Sequence, residues 1–414
     1  MPACRGRRSP VAEKLADQPA NSAEKLADQP ADSAEFTFTG EQQQLRTAVR
    51  KFCADNFDEQ TVRRLMESEV PFDAKVWHRL GSELGVLGLS VPEADGGAGG
   101  SLVDQAVAVE EFGATLACGP LFGTVYLAIP ALVACPAGPA RNELLAELVE
   151  GTKTAALAVT DKAGAFDSAA VPVIAEGDTL TGTVARVIDG AAADEILVAA
   201  SGSAGIGLYA VAASAVRRTP LTTLDLTRPQ ATIILAGAPA RLLAGPEEAE
   251  RVITHALQVG SALLAVEQVG AAQHLLDLAV DYAKSRLQFG RQIGSFQAIK
   301  HKLADMLVDL EHARSAAYHA VWALTDGSDE PALAASIAQA TASAALSRIA
   351  ADTIQVLGGI GFTWEHQAHL YFKRAATDAA LLGTAEQHRS RVADFVLDTA
   401  MAEGGAGVAD GLPG

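Results

Sequence analysis

Apolar residues fall into three textures along the chain. After Phe36, the residues Leu45, Val49, Phe52 and Cys53 recur at helical spacing. Thr39-Gly40-Glu41-Gln42 precedes them with the spacing of a capping box, Thr39 as N-cap and Gln42 reaching back. The same periodicity predicts helices over 74–84, 102–116 and 140–150, with Gly85 and Gly119-Pro120 as stops. Leu87-Gly88-Leu89-Ser90-Val91-Pro92 reads as an extended connection. From about Thr152 the texture changes to short β-branched runs at 155–160, 171–174, 185–188, 195–199, 207–211 and 231–235. Gly, Asp and Pro separate them at spacings of roughly ten residues, the pattern of a small antiparallel barrel or sandwich. Beyond Glu247 long Ala/Leu-rich segments return at 247–285, 295–325, 331–357 and 385–402, as in a helical bundle that assembles into oligomers.

These textures set the expected boundaries. Residues 1–35 form a flexible tail carrying the tandem AEKLADQPANS and AEKLADQPADS, whose Pro19 and Pro30 interrupt any helix. A helical domain follows over 36–151, a β domain over 152–246 and a bundle over 247–402, with a flexible C-terminus at 403–414. Net charge is −18 from 32 basic and 50 acidic residues, which argues against binding nucleic acid or an anionic membrane through bulk charge. No signal-peptide pattern or membrane-span-length apolar run stands out, so a cytoplasmic location is expected. Cys4, Cys53, Cys118 and Cys135 are far apart and form no CxxC, and the nine histidines show no HxxxH or HExxH spacing, so no metal site is expected.

Three segments concentrate chemistry. Arg286-Leu287-Gln288-Phe289-Gly290-Arg291-Gln292-Ile293-Gly294-Ser295-Phe296-Gln297 joins two long helices. Its arginines beside glycines suit a diphosphate, because guanidinium donates bidentate bonds and glycine permits close backbone approach; a plain corner with solvated arginines is the alternative. Gln355-Val356-Leu357-Gly358-Gly359-Ile360-Gly361-Phe362-Thr363-Trp364-Glu365-His366 ends a helix with three glycines. There His366 reads first as a structural hydrogen-bonder. Leu382-Gly383-Thr384-Ala385-Glu386-Gln387-His388-Arg389 opens the last helix with a Gly-Thr turn. The glycines at 96–100 lack the Lys-Ser/Thr of a P-loop and read as a turn.

In this order and spacing the three segments resemble the acyl-CoA dehydrogenase family over nearly the whole ordered chain. The resemblance implies a mainly α fold with a β domain: an N-terminal helical domain, a middle β-barrel and a C-terminal four-helix bundle. It also implies oxidation of an acyl-CoA at Cα–Cβ, with a carboxylate removing the α-proton and FAD accepting the β-hydride. FAD is shared across a subunit interface in the family. Carried over by position, Arg286, Gln288 and Phe289 would meet the neighbour's diphosphate or adenine end, Gln355, Gly358 and Gly359 would line the same nucleotide, and Thr384 would join the cofactor site.

The family's base is another matter. Its usual position, before the Gly-Thr, is Leu382; its alternative position on the first long C-terminal helix is Gly260, followed by Ser261 where an Arg is common. Neither side chain accepts a proton. The flavin-facing Trp and Thr of the family's β domain fall on Arg186 and Ile188, with Val187 between and Asp189 after. Around Thr160-Asp161-Lys162 and Gly164-Ala165-Phe166-Asp167 the family's substrate-side hydroxyl is lost, and Glu386 stands where Gln is common and would repel a diphosphate. Residues facing the chain's own flavin are thus degraded while those offered to a partner are intact. This pattern resembles the base-lacking subunit of actinobacterial α2β2 members that act on steroid side-chain CoA thioesters. The implied partners are an acyl-CoA, a paralogous subunit and an electron acceptor such as electron-transfer flavoprotein. Two other readings stay open: a self-sufficient homotetramer with a relocated base, for which Glu267, two turns after Gly260, is the candidate, and a non-enzymatic acyl-CoA-binding or scaffolding paralogue.

Overall fold

The computed structural model describes residues 37–159, 161–162, 165–327 and 330–405. Contacts divide the chain into two units, Met1–Gln43 and Gln44–Gly414. The sheet, the bundle and every helix after the first belong to the second unit. The tail repeat and Cys4 lie outside the described residues, as do Thr160 and Gly164. The other three cysteines are buried and free.

Helix α1 (Gly40–Asn56) begins with the expected box: Thr39 N donates to Gln42 Oε1 at 3.0 Å and Gln42 N to Thr39 Oγ1 at 3.2 Å. The next helices are α2 (Glu59–Met66), which the apolar spacing did not single out, α3 (Ala74–Ser82) and α4 (Leu102–Ala114). Asp58, Asp73 and Ser101 cap these three through their side chains. Val86–Gly88 is a 3₁₀ turn rather than part of an extended connection: Val91 N and Ala98 N both donate to Gly88 O, folding this segment together with the glycine turn after it. Leu121–Ala128 is a π-helix running into α5 (Ile129–Ala134), and α6 (Pro139–Glu150) closes the first helical layer.

The sheet contains β1 (Ala155–Ala158), β4 (Val173–Glu176), β5 (Thr179–Ile188), β6 (Glu195–Gly202), β7 (Gly205–Ala212), β8 (Arg217–Pro220), β9 (Gln230–Pro239) and β10 (Arg241–Ala244); a separate hairpin holds β2 (Asp161–Lys162) and β3 (Ala165–Phe166). Its order is β10-β7-β6-β4-β5-β9-β8, with β1 beside β6. The expected all-antiparallel pairing needs correcting: β1 and β4 both run parallel to β6. The described ladder is an open path from β10 to β8. Leu180, Ile196, Val198 and Ile233 fill its core.

The bundle comprises α7 (Ala249–Ser285), a hairpin of β11 (Leu287–Gln288) and β12 (Arg291–Gln292), α8 (Gln297–Asp326), α9 (Pro331–Leu357), α10 (Ala368–Asp378) and α11 (Ala385–Gly405). Helix α11 therefore reaches into the segment expected to be flexible from 403, and α10 is a helix that the apolar spacing did not predict. By length and composition α7 is apolar enough to cross a membrane, but 83% of its apolar window is buried inside the protein. Where α4 crosses α7 the backbones touch. A Cβ at Gly113 would sit 2.0 Å from Glu267 O, and one at Gly270 would sit 1.9 Å from Glu110 O. Only glycine allows that approach. Gln268 Nε2 donates to Ser343 Oγ at 3.1 Å, and Thr353 Oγ1 donates to Leu275 O at 3.2 Å. These paired positions rise together, so α7 and α9 run parallel and release their C-terminal segments at the same end of the bundle.

Candidate functional site

A cleft of about 700 Å³ opens where the sheet meets the bundle. The π-helix contributes Phe122 and Leu127, β5 contributes Val184–Ile188, α7 contributes Leu257, and the α10–α11 connection contributes Leu381, Leu382 and Gly383. The two positions where the family keeps its base converge on this cleft. Leu382 lines it, and a Cβ at Gly260 would lie 3.4 Å from Leu382 Cδ1. Arg186 and Ile188 line it as well. Among the described residues, no Asp, Glu, His, Lys, Cys or Tyr side chain lines the cleft. Leu382 and Arg186 adopt φ of 54° and 58°, left-handed conformations that are uncommon away from glycine. At Arg186 the strain coincides with a bulge, where the β5–β9 register shifts between Val184 and Val187.

Beneath the cleft lies a buried ionic cluster, of which only Glu267 stood out in the sequence. Arg228, in the β8–β9 connection, and Arg374, on α10, both donate to Glu267 Oε1. Arg374 Nε also donates to Asp225 Oδ2 at 2.6 Å, and Thr227 Oγ1 donates to Asp225 Oδ1 at 2.6 Å. Arg228 Nη2 reaches Asp378 Oδ1 at 3.4 Å, and its guanidinium stacks 5.0 Å from the Phe122 ring. Burial alone would push the Glu267 carboxyl up, but the Arg228 and Arg374 charges outweigh it and hold Glu267 below the usual carboxylate range. Asp378 goes the other way: burial raises it to about 7, and the nearby Glu267 charge adds to that rise. Burial likewise lifts Asp189 to about 6, although its Oδ2 accepts from Gly123 N at 2.8 Å. Asp225 stays low because Arg374 and Thr227 offset its burial. Asp378 Oδ2 has no hydrogen-bond partner among the described residues. Arg228 stacks on Phe122, Asp378 follows Thr377 and Asp189 follows Ile188, so the cluster lies behind three cleft-lining residues without itself lining the cleft.

A second pocket, of about 390 Å³, adjoins through Leu257 and is lined by Ser261, His388 and Arg391 among others. His388 Nε2 faces Leu382 O at 3.0 Å, and since a carbonyl only accepts, the imidazole donates there. Burial, helped by Arg391, pushes His388 down to about 4, so it is neutral near neutral pH.

The remaining sequence candidates fall into two groups. Thr384 belongs with the cleft: its N–H donates to Gln387 Oε1 at 2.8 Å and its Oγ1 accepts from Gln387 N at 3.3 Å, a capping box for α11. Glu386 sits exposed in that helix's first turn, where the helix dipole favours an acid. Arg286, Gln288, Phe289, Gln355, Gly358 and Gly359 lie at the other end of the bundle. Leu381 O accepts from Gln339 Nε2 beside the cleft, and Gly358 follows Gln339 by 19 residues, roughly 30 Å of helix at ~1.5 Å per residue. Arg286 follows α7 directly, at the same end. The hairpin turns through Phe289 and Gly290, both at positive φ, which gives the twist that two-residue hairpins need. Phe289 is nonetheless 87% exposed, with Arg291 stacked 4.0 Å from the Phe296 ring. Gly358 has φ 65°, whereas Gly359 does not, and a Cβ at either would meet nothing within 4 Å. His366 is a hydrogen-bonder: its Nδ1 accepts from Ala368 N at 3.1 Å. Trp364 stacks on His369 with ring centroids 4.6 Å apart.

Comparison with known proteins agrees with this architecture. The acyl-CoA dehydrogenase N-terminal domain model matches residues 39–152 and the C-terminal domain model matches 250–397. The chain is 35% identical over 352 residues to acyl-CoA dehydrogenase IpdE2 of Mycolicibacterium smegmatis, covering 85% of this chain and 97% of that protein. Among solved structures, a variant of the Tcur3481-Tcur3483 steroid ACAD aligns with TM-score 0.78 and 30% identity over 87% of this chain and 99% of its own. The ChsE4-ChsE5 complex from Mycobacterium tuberculosis aligns with TM-score 0.78 and 28% identity over 88% and 99%. By these matches the chain belongs to the acyl-CoA dehydrogenase family, whose homologues are FAD-dependent oxidoreductases.

Proposed function

We propose that this chain is the base-lacking subunit of a heteromeric acyl-CoA dehydrogenase, completing the FAD site of a paralogous partner. The observation that carries the reading is the cleft. Leu382 lines it with Gly260 close behind, and among its described lining residues there is no group able to remove an α-proton. Removing that proton calls for a base within hydrogen-bond reach of the thioester's Cα.

The far end of the bundle suits a nucleotide. The exposed Arg286 guanidinium forms no ion pair or hydrogen bond among the described residues, and a guanidinium matches a diphosphate oxygen pair. Among the described residues nothing lies within 4 Å of a Cβ placed at Gly359, so its bare backbone fits the close approach of an outside body. Because these groups lie roughly 30 Å of helix from the chain's own cleft, a complete site calls for two chains. FAD, when bound, supplies the hydride acceptor; this chain's residues would hold the nucleotide end and position it for the partner. Relatives whose names mention a steroid enzyme or a two-component complex favour a bulky acyl-CoA and a paralogous partner. Electron-transfer flavoprotein is the proposed electron acceptor.

The self-sufficient reading needs a base, and Glu267 serves it poorly. Two buried arginines engage its carboxylate and hold it below its usual range, which disfavours taking up a proton. The test is production of the chain alone and together with its paralogue. FAD retention and acyl-CoA-dependent flavin reduction are expected only from the pair. Stoichiometric FAD, reduced by acyl-CoA in the chain alone, would overturn the proposal.

A further inference from the structure

The cleft that lacks a base carries an unmatched cation. Arg186 is the sole charged residue among its described lining residues, in a chain with 50 acidic residues and 32 basic ones. Its guanidinium is exposed and makes no ion pair or hydrogen bond among the described residues. The nearby acid just past the strand end, Asp189, is turned away and buried, where it accepts from Gly123 N. The bulge between Val184 and Val187 and the left-handed backbone at Arg186 place this side chain at the cleft against the strand's regular alternation. Strain of that kind persists where the surroundings over-determine it and often marks a functional site. The remaining walls combine an apolar side formed by Phe122, Leu127, Leu157, Leu257 and Leu382 with the uncharged polar side chains of Thr183, Gln230, Thr377 and Gln387. A cleft of about 700 Å³ lies within the range of small-molecule sites.

We propose that this cleft binds a free organic carboxylate, with its apolar body against the leucine wall and its carboxylate on Arg186. One planar guanidinium fork matches one carboxylate bidentately, whereas a phosphate dianion in this cleft would leave charge uncompensated by a single cation. The proposal rests on the reading that the chain's own cleft performs no dehydrogenation and is therefore available to another occupant.

Calorimetric titration of the full chain with octanoate, octanol and octylammonium tests it. Octanoate binds roughly tenfold or more tightly than octanol, as a charge-assisted hydrogen bond in a partly desolvated cleft implies, and octylammonium binds least well. Arg186→Gln brings octanoate down to the octanol level and leaves octanol unchanged. Arg186→Lys keeps the order of the three probes with a smaller gap, because the charge remains and the fork is lost. Equal binding of octanoate and octanol, an unchanged octanoate affinity in Arg186→Gln, or no binding of any probe overturns the proposal. Flavin content and acyl-CoA-dependent flavin reduction, measured on the same wild-type sample, separate the two ideas. Flavin reduction by the chain alone sinks the non-catalytic reading, whereas missing charge selectivity without flavin reduction sinks only this one.

Discussion

The cluster under the cleft sets two arginines, Arg228 and Arg374, against three carboxylates, Glu267, Asp225 and Asp378. All five side chains are buried, so the surplus negative charge is relieved by a proton, and Asp378 is the group that holds it. Asp378 makes one long contact to Arg228, and its other oxygen has no partner. Its raised value means the folded state binds a proton that the unfolded state has already released. Stability from this group is therefore fully present below the ordinary 3.8 and is lost as pH rises through about 7. The loss is about 1.4 kcal/mol per pH unit within that window. Asp378→Asn removes the titration. Its stability relative to wild type should rise by about 2–3 kcal/mol between pH 5 and pH 7, and level off above that. The comparison with wild type is needed because His388, depressed to about 4, works in the opposite direction: its contribution grows as pH rises from about 4 to its ordinary 6.5. Glu267→Gln is the contrasting perturbation. It removes the negative charge that both arginines face and should cost about 3–5 kcal/mol, partly relieved as Asp378 ionises in its place. Urea denaturation of both variants and wild type at half-unit pH steps measures this. A wild-type-to-Asp378→Asn difference that is flat between pH 5 and 7, or an Asp378→Asn cost equal to that of Glu267→Gln, would refute the placement of the proton.

Local geometry yields three further expected outcomes. Phe289→Asn puts an Asn-Gly pair at the two left-handed positions of the hairpin and should stabilise it by up to ~1 kcal/mol in thermal melting, while lowering the FAD content of the heteromer. Gly359→Leu should leave the melting temperature of the isolated chain nearly unchanged, because its side chain enters open space, but should displace FAD from the assembled pair. Gly260→Ala places a Cβ 2.5 Å from Leu127 Cδ2 and should cost about 1–3 kcal/mol, with part of the loss recovered in the double variant with Leu127→Ala.

Much of the architecture was legible because the long elements repeat their pattern many times. Helix α7 shows its periodicity over 37 residues, so its existence was plain and only its start moved, by two residues, from 247 to Ala249. Short elements lack that redundancy: α2 has eight residues, and β8 and β10 have four each. The parallel pairing of β1 with β6 joins strands about 40 residues apart and leaves no local signature. At the site, aligned motifs identified Leu382 and Gly260 separately, but only the fold shows them touching. The ionic cluster was invisible for a physical reason. Arg374 and Asp378 sit four apart on α10, the spacing of an ordinary surface pair. In the fold both turn inward, toward Glu267 on α7 and Arg228 beyond β8, partners more than 100 residues away.

The central claim is that this chain completes a partner's FAD site without providing a base. The most direct measurement is anaerobic titration of the purified heteromer with acyl-CoA, following flavin absorbance, in the wild type and with Arg286→Glu in this chain alone. One reducible FAD per pair of unlike subunits is expected in the wild type, with loss of that FAD when only this chain's Arg286 is changed. Full FAD content and full reduction in the Arg286→Glu assembly would contradict it.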